Sequence, residues 1–252
     1  MPFLNKVVLV TGAASGIGEA TAVRFAKGSA RLALVDIRAD LLKKSVENCE
    51  KISRTKVLSI TADLTKEDDV KRVVETTVKQ YGRIDVLVNC AGIDAVASIF
   101  DENILETYDR VIGVNLRAVV ALTNAAIPAL IESKGNVVNV SGESAKKILT
   151  SFPDPVSKAG LNHFTRCAAL DLSPHGIRVN AVMPGTVETN IYANAGFPKA
   201  AQDAILKKAA DSPLKRKVKG EDVAELITFL ASDAARSITG STFSVDSGSL
   251  LQ

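Results

Sequence analysis

The stretch Lys6 to Ala26, KVVLVTGAASGIGEATAVRFA, constrains this chain more than any other part of it. Val7–Val10 is a short apolar run with three valines, and it closes on Thr11-Gly12, where the amphipathic pattern Ile17, Ala20, Val23, Phe25 begins. A strand, a tight turn and a helix fit that order. Gly12, Gly16 and Gly18 remove side chains where the backbone must turn, approach a pyrophosphate and let the helix sit close to the strand. Ser15 and Ile17 fill the intervening positions, and the open amides of the helix N-terminus carry positive dipole character toward a phosphate. Such spacing also occurs in ordinary Gly-rich turns, so the loop alone leaves both readings open.

The next run, Leu32-Ala33-Leu34-Val35, closes on Asp36, 18 residues beyond Gly18. A carboxylate there accepts hydrogen bonds from adenosine ribose hydroxyls and repels a 2′-phosphate, which favours NAD(H) over NADP(H). Arg38 pulls the other way, because a guanidinium turned inward pairs with a phosphate. A solvated loop carboxylate is the plain alternative for Asp36.

Apolar runs at Lys56–Thr61, Ile84–Asn89, Asn136–Ser141, Ile177–Val182 and Thr242–Val245 continue the pattern. Helical stretches alternate with them near Leu41–Cys49, Lys66–Tyr81, Asn103–Glu132, Val156–Leu172 and Glu221–Leu230. This alternation predicts an α/β fold, a parallel sheet with helices on both faces and right-handed crossovers, and one domain over 1–252. At 46% hydrophobic residues the chain can fill a two-sided core. Thr189–Lys219 breaks the rhythm and reads as a lid-like segment over 190–219, its basic run Lys215–Lys219 a solvated face.

A net charge of +3 gives no strong basic field, and 4% aromatics without Trp give no base-stacking platform, so nucleic acid is not indicated as a partner. No run reads as membrane-spanning, and MPFLNK leads straight into the first strand without a leader. Three widely spaced cysteines, Cys49, Cys90 and Cys167, point to a reduced, cytoplasmic protein. The two histidines, His163 and His175, build no metal site.

Over nearly its whole length the chain resembles the short-chain dehydrogenase/reductase family. Thr11-Gly12-Ala13-Ala14-Ser15-Gly16-Ile17-Gly18 is similar to its TGxxxGIG loop, Asp63-Leu64 to the pair that contacts adenine, and Asn89-Cys90-Ala91-Gly92 to its NNAG motif. Asn115 resembles the helix asparagine that holds a relay water. Pro184-Gly185-Thr186-Val187-Glu188-Thr189 resembles the segment beside the nicotinamide, and Val245-Asp246-Ser247-Gly248 the closing VDGG. The resemblance implies a Rossmann-type doubly wound parallel seven-stranded sheet, a nicotinamide cofactor and, through the apolar helices around Asn103–Glu132 and Val156–Leu172, a homodimer or homotetramer.

In that family a serine, a tyrosine and a lysine four residues later carry the proton chemistry. Lys158 matches the lysine, which also binds the ribose, but Asp154 stands at the tyrosine position and Gly142 at the serine position. An aspartate of ordinary pKa, about 3.9, is ionised at neutral pH and is shorter than tyrosine, so it does not protonate a carbonyl as tyrosine does. Pro153-Asp154-Pro155 reads instead as a helix N-cap followed by a first-turn proline. Ser141 and Ser144 are rival serines, Ser141 facing the wrong side of its strand end. The expectation is therefore a nicotinamide-dinucleotide-binding protein without ordinary turnover, acting by binding a small-molecule or protein ligand. The alternatives are an active oxidoreductase with a non-standard proton donor, such as Tyr192 or a water held by Asn115 and Lys158, and an interaction protein independent of the nucleotide.

Overall fold

The computed structural model describes residues 3–149 and 151–252, so the reading of Met1 and Pro2 lies outside the described residues. Among the described residues seven parallel strands form one sheet in the order β3-β2-β1-β4-β5-β6-β7. They are β1 (Val7–Thr11), β2 (Arg31–Asp36), β3 (Leu58–Thr61), β4 (Val86–Asn89), β5 (Asn136–Val140), β6 (Arg178–Pro184) and β7 (Thr242–Val245). β1, β4 and β5 are buried at every position. Burial of both faces explains why these strands read as continuous valine-rich runs rather than as alternating patterns.

Two apolar layers flank the sheet. Val8, Val10, Leu32 and Leu34 pack under α1 (Gly16–Lys27), α2 (Ala39–Ser53) and α9 (Gly220–Ala231), with Phe25, Leu42 and Ile227 fully covered. Leu9, Val35, Leu87 and Val179 face the other way, under α3 (Glu67–Tyr81), α5 (Ala118–Ser133) and α6 (Pro153–Leu172). Truncating any of these leucines to alanine costs about 2–5 kcal/mol.

The chain runs outward from β1 to β2 on one side and to β4 on the other, pairing Val10 with both Leu34 and Val88. This reversal opens a crevice beyond the C-terminal ends of β1 and β4, where ligands of such sheets bind.

Three expectations need correction. The helix expected over Asn103–Glu132 is α4 (Ile104–Ile112), a π-helical turn Gly113–Arg117, then α5. The π turn inserts a residue into the ladder and aims Asn115 inward, where it is 1% exposed. By length and composition Ile104–Ser133 does reach membrane-spanning character. In the fold its Leu122, Ala126 and Leu130 are core residues packed against the sheet. The segment 190–219 is not irregular: it holds α7 (Ile191–Asn194) and α8 (Lys199–Ala210), and a parallel bridge between Val187 and Val218 pins its ends together. Its basic run is paired on the surface, Lys215 with Asp211 at 2.7 Å and Arg216 with Asp222 at 2.8 Å.

Candidate active site

The first wall of the crevice is the glycine turn. Gly12 has φ +66°, and a Cβ on it would fall 2.8 Å from Ala91 Cα. A Cβ on Gly18 would lie 2.1 Å from the Gly12 carbonyl oxygen, and one on Gly16 would lie 2.9 Å from Thr189 Cγ2. Only glycine lets α1 approach β1 and leaves the first-turn amides uncovered. Ser15, the N-cap, makes no side-chain cap, so those amides stay free for a ligand. Ile17 packs partly against the core below. Thr11, which the motif includes without marking a role, fixes the opposite wall: its Oγ1 accepts from the Cys90 and Ala91 amides at 3.0 and 3.1 Å, setting the loop that carries Gly92. The open amides, the missing side chains and the acidic group at the end of β2 together fit a nicotinamide dinucleotide. When bound, that group supplies a hydride donor or acceptor.

Asp36 is 6% exposed and accepts four hydrogen bonds: Oδ1 from the Arg38 amide and Nε, both at 3.0 Å, and Oδ2 from the Ala14 amide at 3.1 Å and Arg38 Nη2 at 3.2 Å. A carboxylate has about four acceptor directions, so a ribose hydroxyl reaches Asp36 only by displacing Arg38. Arg38 also donates to Ser15 Oγ at 2.9 Å, and the Asp36 bond holds its pKa above the ordinary value.

Other expected cofactor residues divide. The Asp63 carboxylate accepts from the Thr65 amide and hydroxyl at 3.0 and 2.7 Å and so shapes the turn after β3, with Leu64 half-sunk in the core. The Asn89 side chain does not face the crevice. It donates to Asn139 Oδ1 at 2.9 Å and Thr123 Oγ1 at 3.2 Å and stitches β4 to β5 beneath it, because an amide on a doubly covered strand must find internal partners. Pro184 ends β6, and Gly185 lets that end pass the backbone of Asp246, whose Cα would lie 2.9 Å from an added Cβ. Val187 is spent on the bridge to Val218, while Thr189 faces Gly16.

The expected reacting residues gather at the ends of β4 and β5. Lys158 Nζ donates to the Val140 carbonyl at 3.1 Å, and a Cβ on Gly92 would sit 3.4 Å from both this nitrogen and Asn115 Oδ1. Asn115 Oδ1 accepts from the Ile93 amide at 2.8 Å. Its Nδ2 has three acceptors in reach, the Ile93 carbonyl at 2.9 Å, Ser157 Oγ at 3.0 Å and Asp154 Oδ1 at 3.2 Å.

Asp154 is not the helix cap that the two prolines suggest. α6 starts at Pro153, and no side chain caps it. The Asp154 carboxylate turns into the crevice instead, Oδ1 accepting from Asn115 and Oδ2 from Ser144 Oγ at 2.7 Å. Ser141 is not in the site: it is 5% exposed and its Oγ donates to the Lys158 carbonyl at 3.1 Å. Ser144 takes the vacant place, since a Cβ built on Gly142 would lie 3.2 Å from Ser144 Oγ and 3.8 Å from Lys158 Cγ.

Sequence reasoning missed two further groups, Asp94 and Glu143, and offered a third, Tyr192, as an alternative proton donor. Asp94 is half-buried beside Asp154, and burial followed by that like charge pushes its pKa up to about 6. Glu143 accepts from Thr186 Oγ1 at 3.4 Å and pairs with Lys147 at 2.8 Å. Tyr192 stacks edge-on with Phe197 at 5.5 Å, yet its hydroxyl pairs with Thr186 and lies within the fields of Asp94, Glu143 and Asp154. Desolvation holds that hydroxyl above the ordinary tyrosine pKa. No motif announces Asp94 or Glu143. They become visible only when the loops after β4 and β5 are brought together.

The fold and this crevice define a doubly wound α/β protein with a nucleotide cradle at its switch point and a cluster of ionisable groups beside it. A family model described as enoyl-(acyl carrier protein) reductase matches residues 12–249. The 3-oxoacyl-[acyl-carrier-protein] reductase FabG of Thermotoga maritima is 39% identical over 97% of each chain. Glucose 1-dehydrogenase of Gluconobacter oxydans is 38% identical over 98% of this chain and 92% of its own. Among solved structures, 3-ketoacyl-(acyl-carrier-protein) reductase from Brucella melitensis complexed with NADH superposes with a TM-score of 0.88 at 32% identity, covering 98% of each chain. This chain belongs to the short-chain dehydrogenase/reductase family. The expectation of a binding protein without turnover is overturned, because relatives matched over nearly their whole length are named as a reductase and a dehydrogenase. Its physical premise was an empty acid–base site, whereas Ser144 fills the space beside Gly142 and the Asp154 carboxylate faces the crevice with two donors on it.

Proposed function

We propose that this chain is an active NAD(H)-linked oxidoreductase that interconverts an alcohol and a carbonyl, with its proton carried by a group other than a tyrosine. The observation that carries this reading is the convergence of Lys158, Asn115, Asp154 and Ser144 on the end of the glycine-lined cradle. Gly12, Gly16 and Gly18 would let the backbone approach the pyrophosphate, Asp36 would take the ribose once Arg38 swings aside, and Lys158 would lie by the second ribose. Asn115 would hold the Asp154 carboxylate in place. The polar groups Asp94, Glu143, Ser144 and Tyr192 favour a small hydroxylated substrate, with α7 and α8 over 190–219 acting as its lid.

Exposed apolar side chains on α5 and α6, among them Val120, Val156 and Leu170, support assembly as a homodimer or homotetramer. Free thiols at Cys49, Cys90 and Cys167 suit a cytoplasmic site of action.

Titration calorimetry with NADH and NADPH, followed by assays on a panel of meso-2,3-butanediol, D-glucose, xylitol and an acetoacetyl thioester, tests the reading. The expected result is NADH binding with turnover of at least one hydroxylated member. Tight NADH binding with no turnover of any member refutes it.

A further inference from the structure

We infer that Ser144 and Asp154 form a proton relay, with Ser144 the catalytic residue that touches the substrate hydroxyl and Asp154 the base behind it. The relay rests on the oxidoreductase reading above and assigns to that site the proton group the reading leaves open.

An aspartate is too short to reach a substrate that a tyrosine would touch, and a serine hydroxyl is too weak a base to deprotonate an alcohol by itself. Joined, each supplies what the other lacks. Ser144 Oγ donates to Asp154 Oδ2 at 2.7 Å, the short distance of a hydrogen bond to a charged acceptor. Oδ1 is fixed from the other side by Asn115 Nδ2 at 3.2 Å, and Asn115 is itself held at both ends by the Ile93 backbone. The carboxylate therefore stands behind a hydroxyl in a fixed orientation, as a nucleophile–base pair requires. Ser144 Oγ also lies beside the place where a side chain on Gly142 would project, and Ser144 as a residue is only half-buried. The glycine at position 142 is compensated by a hydroxyl two residues further along, in the 3-10 turn Glu143–Lys146.

The step balances in the direction of alcohol oxidation. The substrate O–H bond breaks and its proton passes to Ser144 Oγ as the Ser144 proton passes to Asp154 Oδ2. The carbinol C–H bond breaks with its electron pair leaving as hydride to the oxidised nicotinamide dinucleotide that the activity supplies, and the C=O bond forms. Asp154 then returns its proton to solvent. Asp94, Lys158, Glu143 and Tyr192 are the other charged or titratable groups facing this pair.

The test uses Ser144→Ala, Ser144→Thr, Asp154→Ala, the double variant Ser144→Ala with Asp154→Ala, and Tyr192→Phe in the full chain, with oxidation of the panel alcohols by NAD+ followed at 340 nm. Calorimetric NAD+ affinity and thermal melting are measured on each variant. Ser144→Ala and Asp154→Ala are each expected to lower kcat about 10²–10⁴-fold, with KM and NAD+ affinity within about threefold. The double variant should fall no further than either single one, because the two groups act as a unit. Ser144→Thr, which keeps the hydroxyl, should retain most of the rate, and added formate should restore part of it to Asp154→Ala, a rescue that a merely structural aspartate would not show. Oxidation by the unaltered chain that survives Ser144→Ala overturns the relay and leaves the oxidoreductase reading standing. Loss confined to Tyr192→Phe also overturns it, in favour of the lid tyrosine. Binding of NAD+ with no oxidation by any form overturns both.

Discussion

Replacing Asp36 by serine should turn the cofactor preference from NADH toward NADPH, at a measurable cost in stability. In the native protein Asp36 neutralises Arg38 and holds the buried Ala14 amide at 3.1 Å. The serine hydroxyl is too short to keep all four bonds. The Ala14 amide, in a residue only 5% exposed, loses its acceptor, which costs about 1–3 kcal/mol. Arg38, whose side chain is 34% exposed, regains water and adds little to that cost. A loss of about 2 kcal/mol lowers Tm by about 4–8 °C for a chain of this size. Against a 2′-phosphate the gain is larger: a repelling carboxylate disappears and a guanidinium is released for the phosphate. One unit charge at about 4 Å contributes up to about 4 kcal/mol at an effective dielectric of 20, and screening near the surface leaves about 2–3 kcal/mol, a 30- to 150-fold tightening of NADPH. NADH should weaken about 5- to 30-fold with the lost ribose acceptor. Calorimetry with both cofactors on the native chain and on Asp36→Ser reads these changes directly. Native affinity for NADPH already equal to that for NADH, or a variant in which both affinities move together, would refute the role assigned to Asp36. Arg38→Ala sharpens the result, because it clears Asp36 for the ribose and should tighten NADH while NADPH weakens.

Gly18→Ala drives a methyl to 2.1 Å from the Gly12 carbonyl, so calorimetric NADH binding should vanish and Tm should fall by at least several degrees. Gly142→Ser restores the family's serine but crowds Ser144 Oγ at 3.2 Å; alcohol oxidation should fall about tenfold or more rather than rise, as assayed at saturating substrate. Asp94 titrates near 6 in the fold against 3.8 ordinarily, so the folded chain binds that proton more tightly than the unfolded one. Its contribution to stability is complete below about pH 4 and is lost as pH rises to about 6. Asp94→Asn should thus be more stable than the native chain at pH 7.5 by about 1–2 kcal/mol once partial exposure is discounted, and equal to it near pH 4, by urea unfolding at both pH values. Burial pushes the Cys49 and Cys90 thiols up to about 12, so iodoacetamide at pH 7.5 should label the native chain once, at exposed Cys167.

The sheet and the cradle were legible in the sequence for a local reason. A strand buried on both faces writes itself as an unbroken valine run, and Gly12, Gly16 and Gly18 sit in one turn of chain whose spacing carries its own geometry. The π turn at Gly113–Arg117 left no such mark, because α5 is apolar on more than one face, with Val120 and Ile131 exposed, and a one-residue shift of phase does not show in such a pattern. Helices α7 and α8 were hidden because neither buries a residue fully, and an amphipathic pattern exists only where there is a core to face.

The reacting centre was the least legible part, and Asp154 shows why. From sequence its prolines offered a complete local explanation, a helix cap, that needed no partner from elsewhere. The carboxylate is instead held by Asn115, 39 residues before it, and by Ser144, 10 residues before it, each donating across the crevice. Position-by-position comparison registers Gly142 and Asp154 as two losses, because it asks whether the same atom stands on the same residue. Chemistry asks only whether a hydroxyl and a base meet where the substrate will lie. Here the hydroxyl stands on position 144 instead of 142, in nearly the same space, within reach of a carboxylate that a tyrosine would otherwise replace. Each apparent loss is thus conditional on the other: restoring the serine alone displaces Ser144, and restoring the tyrosine alone removes the group Ser144 donates to. The substitutions at 142 and 154 make physical sense only as a pair, with Ser144 as the residue that joins them.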